Sequence, residues 1–219
     1  MTAKLPAVLI TGFDAFGGET ENPSQQIVRA LDGSTIAGHR VVAATLPTEF
    51  ARVGTELAAL IERHRPVLVL AIGQAGGRAE ISLERVAINL IDARIPDNAG
   101  AQPIDVPVVA GAPDAYFSTL PLKAMLRALK AANIPAALSH SAGTFVCNHV
   151  FYALAHRLAR VRRKVRGGFI HVPYLPGQAA RHPGAPSLPL ATMVEATRIC
   201  LETALTTQDD LHVAGGTTH

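Results

Sequence analysis

Short runs rich in Val, Ile and Leu recur along this chain, separated by segments whose apolar residues repeat at helical spacing. No other feature limits the possible folds as much. The runs are AVLITGF (7–13), RVVAATLP (40–47), VLVLAIG (67–73), ERVAINLID (84–92), IPAALSH (134–140) and GFIHVP (168–173). Each has the length of a strand, and several are continuous enough to be buried on both faces. Between them Pro23 to Leu31 after a cap at Asn22, Glu49 to Arg65 after Thr48, Pro121 to Ala132, Thr144 to Arg160 and Leu190 to Thr206 read as helices. In the third, Leu122, Met125, Leu126 and Leu129 fall on one face. Strand and helix therefore alternate, which predicts an α/β fold: an α/β/α sandwich whose mostly parallel, twisted sheet is covered by helices on both faces. With 219 residues and no shift in composition along the chain, a single domain over 1–219 is expected. Its core is mainly aliphatic, because aromatic residues make up only 5% of the chain.

Three segments break the alternation. Residues 92–116 and 173–189 are rich in Pro and Gly and too long for ordinary connections, which marks them as candidate active-site loops. The polar tail 206–219 is expected to be mobile.

Several function classes are set aside by pattern. The net charge is only +3, and the densest cationic cluster, RVRRKVR (160–166), ends a predicted helix, where the dipole favours cations. No aromatic residues interleave with it to stack bases, so no nucleic-acid partner is expected. No run reaches the roughly 18 apolar residues of a membrane span, and the N-terminus MTAKLPAVLITGF lacks the small-residue cleavage site of a signal peptide. Cys147 and Cys200 are too few for a disulfide framework and match no zinc spacing, which points to two free thiols in the cytoplasm. His149 and His156 could share a helix face, but no HExxH, paired cysteines or acidic cluster accompanies them, so no metal is expected. Nor is a nucleotide cofactor. TGFDAFGGE has Gly18 and Glu19 where a phosphate loop needs Lys and Ser/Thr, and the glycines of GQAGGR fall at 73, 76 and 77, off the dinucleotide spacing.

Three residues carry candidate chemistry, each with an ordinary alternative. Strand alternation through ISLERVAINLID puts Glu84 in the row of Val86, Ile88 and Leu90, where a carboxylate must be paired with an arginine or serve catalysis. His171 ends an apolar strand on the face of Phe169, and reads either as a core histidine or as a catalyst. Cys147 begins the stripe Cys147, Phe151, Leu154, Leu158, which suggests packing. It also stands in the first turn after Gly143 and Thr144, where free backbone amides and the helix dipole favour a thiolate and could hold an oxyanion. Cys200 sits mid-helix and reads as packing, and Ser141 lacks a GxSxG elbow.

Taken with TGFDAFGG, NPS (22–24), GQAGGRAEISLERVAINLIDARIPDNAGAQP (73–103), SAGTFVCN (141–148), FIHVPYLP (169–176) and LATMVEA (190–196), the chain resembles the type I pyroglutamyl peptidases, also called pyrrolidone carboxyl peptidases. The resemblance covers nearly the whole sequence. It implies a cysteine peptidase, working without a cofactor, that hydrolyses the amide bond after an N-terminal pyroglutamate of a peptide through a thioacyl-enzyme. Glu84, Cys147 and His171 fall on its catalytic motifs, and Arg94 on an arginine near the nucleophile that supports the oxyanion or the local field. By the same resemblance Phe13, Phe16, Ile95 and Val146 line the ring of the substrate, the backbone around Gln74 binds the lactam edge, and the assembly is a homotetramer. Two positions depart from the family: Ala15 stands where proline is usual, and His140 where asparagine is usual. Two rivals fit the same scaffold, a cysteine amidohydrolase acting on a small free amide and a non-catalytic small-molecule-binding α/β module.

Overall fold

The structure, a computed structural model, describes residues 5–216. Its elements run β1 (Ala7–Phe13), α1 (Pro23–Leu31), β2 (Thr35–Ile36), β3 (His39–Leu46), α2 (Phe50–His64), β4 (Leu68–Gln74), β5 (Ile81–Glu84), β6 (Val86–Ile88), β7 (Ala115–Phe117), α3 (Leu122–Ala131), β8 (Ala136–Ser139), α4 (Val146–Arg160), β9 (Arg166–Val172), α5 (Pro176–Ala179) and α6 (Leu190–Thr206). The main sheet has seven strands in the order β2-β3-β1-β4-β9-β5-β8. Neighbours are parallel apart from the β2–β3 and β5–β9 pairs.

Alternation along the buried strands feeds two cores. Val8, Ile10, Leu68, Leu70 and Ile170 pack against α1, α3 and α6 on one face. Leu9, Val69, Ala71 and Phe169 pack against α2 and α4 on the other. This is the expected three-layer sandwich. Among the described residues no helix is long and apolar enough to cross a membrane.

The structure corrects four local expectations. The run 84–92 is not one strand: β5 ends at Glu84, the Arg85 N–H bonds Ser139 O at 2.8 Å, and Val86–Ile88 pairs with β7 in a separate two-stranded sheet. Glu84 therefore does not share a row with Val86, Ile88 and Leu90. Thr48 does not cap α2. Glu49 holds the cap position without a side-chain bond, and the Phe50 N–H is met instead by Asp97 Oδ2 at 2.8 Å from a distant loop. The tail is partly docked, because the Asp210 carboxylate accepts from Lys123 N at 3.1 Å and Ala124 N at 3.0 Å. It thereby satisfies the amides of α3, whose own cap, Pro121, has no side-chain acceptor. The tail residues 217–219 and the N-terminal residues 1–4 lie outside the described chain. Finally, RVRRKVR does not simply end a helix: α4 stops at Arg160, Arg163 donates to the carbonyls of Arg65 and Pro66 after α2, and Arg166 starts β9.

Where α4 meets α2, His149 packs on Phe50 and its Nδ1 is buried without a partner among the described residues. Burial pushes its imidazole from 6.5 down to about 4. The unfolded chain therefore binds this proton more readily than the folded one. Stability from this site is complete above pH 6.5 and falls as pH drops toward 4, by about 3 kcal/mol in total. Urea midpoints measured from pH 7 to pH 4 should fall less steeply in His149→Gln than in the parent chain.

Candidate active site

Glu84 and His171 meet across the antiparallel β5–β9 pair. Glu84 lies opposite Phe169, and His171 is two positions further along on the same face. The His171 Nδ1 and the Glu84 Oε1 are 2.7 Å apart, with Glu84 fully buried and His171 4% exposed. A carboxylate only accepts, so Nδ1 carries the proton and Nε2 is left as the basic nitrogen. The same Oε1 also accepts from Arg78 Nη1 at 2.6 Å. Burial alone would raise the Glu84 carboxyl, but the hydrogen bond and charge of His171, with the charge of Arg78, outweigh it and hold the carboxyl below its ordinary value. Burial depresses the His171 imidazole more than Glu84 raises it, which keeps the ring neutral near pH 7. Glu84 is thus paired with an arginine and, through the same oxygen, hydrogen-bonded to a histidine.

Cys147 is the second residue of α4. The cap residue Phe145 offers no side-chain acceptor, so the first-turn amides beside the thiol stay free for a ligand. Next to it Asn148, fully buried, ties the helix start to the chain after β5: its Oδ1 accepts from Ile88 N at 3.1 Å, and its Nδ2 donates to Ile88 O at 2.9 Å and Leu90 O at 3.0 Å. The buried stripe of the helix runs through Val146, Val150, Phe151 and Leu154, while Cys147 is only half-buried. The expected thiolate is not the resting form. Desolvation, then the Glu84 charge, push the thiol up to about 12 against the pull of Arg78. Burial raises the Cys200 thiol in the same way, and that residue is ordinary core.

Gly73 brings the two groups together. It pairs with His171 on β9, and a Cβ placed on it would lie 2.7 Å from Cys147 Sγ and 2.8 Å from Phe169 Cζ. Cys147 and His171 therefore open into one cavity of about 320 Å³, which is also lined by Phe16, Gln74, Arg78, Arg94, Ile95 and Phe145. Of the two long loops, 92–116 reaches this cavity through Arg94 and Ile95; 173–189 supports it from behind. Arg94 is exposed and has no side-chain hydrogen bond among the described residues. Glu84 stands behind His171, out of reach of a ligand. Phe13 and Val146 are corrected: both are buried in the core beneath the cavity instead of lining it, Phe13 against Phe169 and Val146 at the foot of α4. Arg78 and Phe145 were not foreseen as site residues. Arg78 was signalled by the need of a carboxylate on an apolar strand for a partner, six residues upstream in a glycine-rich loop; Phe145 by its place just before the helix start.

Comparison with known proteins adds an independent observation. The family model described as pyroglutamyl peptidase matches residues 6–207. The chain belongs to the pyroglutamyl peptidase family. It is 57% identical to a pyrrolidone-carboxylate peptidase of Cupriavidus taiwanensis over 216 residues, covering 98% of this chain and 100% of that one. It is 52% identical to one of Yersinia pestis over 212 residues, covering 97% and 99%. The crystal structure of pyroglutamyl peptidase I from Bacillus amyloliquefaciens superposes with a TM-score of 0.93 at 44% identity, covering 96% of this chain and 100% of that one. A mutant pyrrolidone carboxyl peptidase from Pyrococcus furiosus gives 0.89 at 42% identity, covering 91% and 98%.

The departures from the family pattern can now be placed. The loop at Ala15 is held without proline, since Asn98 Nδ2 donates to Ala15 O at 2.9 Å. His140 is exposed and lines a different cavity, which shares Arg78 with that of Cys147. In this family member Arg78 also donates to Ser139 Oγ at 3.3 Å and Ser141 O at 3.0 Å, clamping Glu84 to the segment that leads to the nucleophile helix. Arg78→Met should cost roughly 2–4 kcal/mol in urea unfolding, less than a fully buried pair because Arg78 keeps 32% of its side chain in solvent. Loss of the cation raises the Glu84 carboxyl, so the acidic limb of the pH–rate profile should move to higher pH.

Proposed function

We propose that this chain is a cysteine peptidase that removes an N-terminal pyroglutamyl residue from peptides. The observation that carries the reading is His171, hydrogen-bonded to the buried Glu84, opening into the same cavity as a thiol at a helix N-terminus. Cys147 Sγ attacks the pyroglutamyl carbonyl carbon while His171 Nε2 takes the thiol proton. The oxygen of the tetrahedral intermediate is held by the first-turn amides of α4, with Arg94 supplying positive field from the cavity wall. The imidazolium then protonates the leaving amine, the C–N bond breaks, and a thioester remains. Water, deprotonated by His171, hydrolyses it and releases pyroglutamate. Glu84 holds the imidazole tautomer and stabilises its charge. Because the resting thiol is neutral, proton removal and attack are coupled, and His171 is indispensable.

A pyroglutamyl ring is neutral and flat, and Phe16, Phe145 and Ile95 supply apolar walls for it. A charged, uncyclised N-terminus would lose hydration against those apolar walls. The chain is one domain that works in the cytoplasm as a homotetramer. The family resemblance supports the assembly, and the two free thiols support a reducing compartment.

The test offers pyroglutamyl and prolyl amides with the same chromogenic leaving group to the reduced protein. Cleavage of the first alone is expected, and cleavage of neither would sink the reading. Alkylation should reach Cys147 before Cys200, with activity falling in step.

A further inference from the structure

The order of strands in the sheet sets the reacting groups in a row. On the face that meets α4, Phe16 follows β1, Cys147 Sγ lies over Gly73 of β4, and His171 stands on β9. The apolar walls gather at the β1 side, where Phe145 packs on Phe16 at 6.0 Å and Ile95 stands beside Gly17. Beyond His171 the same face continues through Ser82 of β5, directly opposite His171, to Ala137 of β8, opposite Ser82. The sheet ends there. α4 packs over β4 and β9, and over β5 and β8 lies an open groove of about 480 Å³, lined by Arg78, Glu80, Ser82, Ala137, Ser139 and His140. Arg78 lines this groove and the cavity of Cys147 alike, so the two meet at its side chain. Its charge is paired with Glu84 at 2.6 Å, whereas the Glu80 carboxylate has no hydrogen bond or ion pair among the described residues.

The row gives the substrate a direction. Its ring belongs with the apolar walls on the β1 side, and its leaving nitrogen must face His171 to be protonated, so the rest of the peptide departs toward β5 and β8. Neighbouring strands lie about 4.8 Å apart and an extended chain advances about 3.3 Å per residue, so the two strand steps from His171 to Ala137 take about three residues. We propose that the groove over β5 and β8 is a subsite for the leaving peptide, holding the second and third residues after pyroglutamate, with Glu80 selecting a basic side chain at the third. The proposal rests on the pyroglutamyl reading above and extends it to the part of the substrate that lies outside the cavity of Cys147. Contacts made there are present before the C–N bond breaks and therefore raise kcat/KM.

The test sets two peptide amides, pyroglutamyl-Ala-Ala-Lys-Ala and pyroglutamyl-Ala-Ala-Glu-Ala, in competition in one reaction. The product ratio, read by mass spectrometry, gives the ratio of their kcat/KM values and is independent of any general loss of activity in a variant. The parent chain should favour the Lys peptide by about threefold to tenfold at low salt, and by less at high salt. Glu80→Gln should bring the ratio close to one, and Glu80→Lys should invert it. With the Lys or Glu moved to the first residue after pyroglutamate, the ratio should no longer depend on Glu80. If Glu80→Lys does not fold, Glu80→Gln decides. A preference that both variants leave unchanged overturns the proposal, as does a dependence on Glu80 that is strongest at the first residue. Equal cleavage of the two peptides by the parent also overturns it, and is the result expected if a second copy of this chain covers the groove. Failure of the pyroglutamyl reading itself shows separately, as a parent chain that cleaves neither peptide.

Discussion

Replacing His171 with glutamine should lower kcat/KM for a pyroglutamyl amide by about 10⁵ at pH 7. The size follows from the thiol. With Cys147 pushed up to about 12, roughly one molecule in 10⁵ carries a thiolate at pH 7 unless a base removes the proton during attack. Glutamine fills much of the imidazole volume and still reaches Glu84, but cannot take that proton. The residual activity should then climb about tenfold for each pH unit between 7 and 9, as solvent ionises the thiol, while the parent enzyme shows no such slope. The measurement is a pH series on protein whose Cys147 content has been titrated. A variant with a flat profile and substantial activity would mean that the α4 N-terminus holds a standing thiolate, contrary to the burial seen around Cys147.

Gly73→Ala has the next largest effect. Its Cβ would sit 2.7 Å from Cys147 Sγ and 2.8 Å from Phe169 Cζ, and neither is the loose end of a flexible side chain. Phe169 is locked between Phe13 and Phe151, and Cys147 is fixed by the Asn148 bonds to Ile88 and Leu90. The methyl must displace one of them. The expected cost is about 1–3 kcal/mol of stability and, because sub-ångström placement governs attack, about 10²–10³ in kcat. Gly216→Ala, where a Cβ meets nothing within 4 Å, is the control and should be neutral in both.

How much of this was legible in the sequence depended on the range of the forces involved. β1, α1 with its Asn22 cap, and the apolar face of α3 are written in neighbouring residues, and they stand where periodicity and capping put them. Glu84 and His171 drew attention for the same local reason: a polar group on an apolar strand demands a partner. What failed to show depends on residues far apart in the chain. The break at Arg85 comes from its bond to Ser139, the cap of α2 from Asp97, and the docking of the tail from Asp210 on α3. Cys147 gives the sharpest contrast. Local sequence registers the helix dipole that favours a thiolate, but not the desolvation and the Glu84 charge that oppose it, because both arise only when β4, β5, β9 and α4 come together. The motif placed Phe13 and Val146 close to the site, yet which side of the wall each faces is a matter of packing.

The proposed mechanism requires that Cys147, activated by His171, becomes acylated by the substrate. Rapid acid quenching during turnover of a pyroglutamyl ester, followed by mass spectrometry of the digested protein, tests it most directly. One pyroglutamyl group is expected on the peptide containing Cys147 and none on that containing Cys200, with the adduct absent in Cys147→Ala. Turnover without any adduct on Cys147, or retained activity in Cys147→Ala, would contradict it.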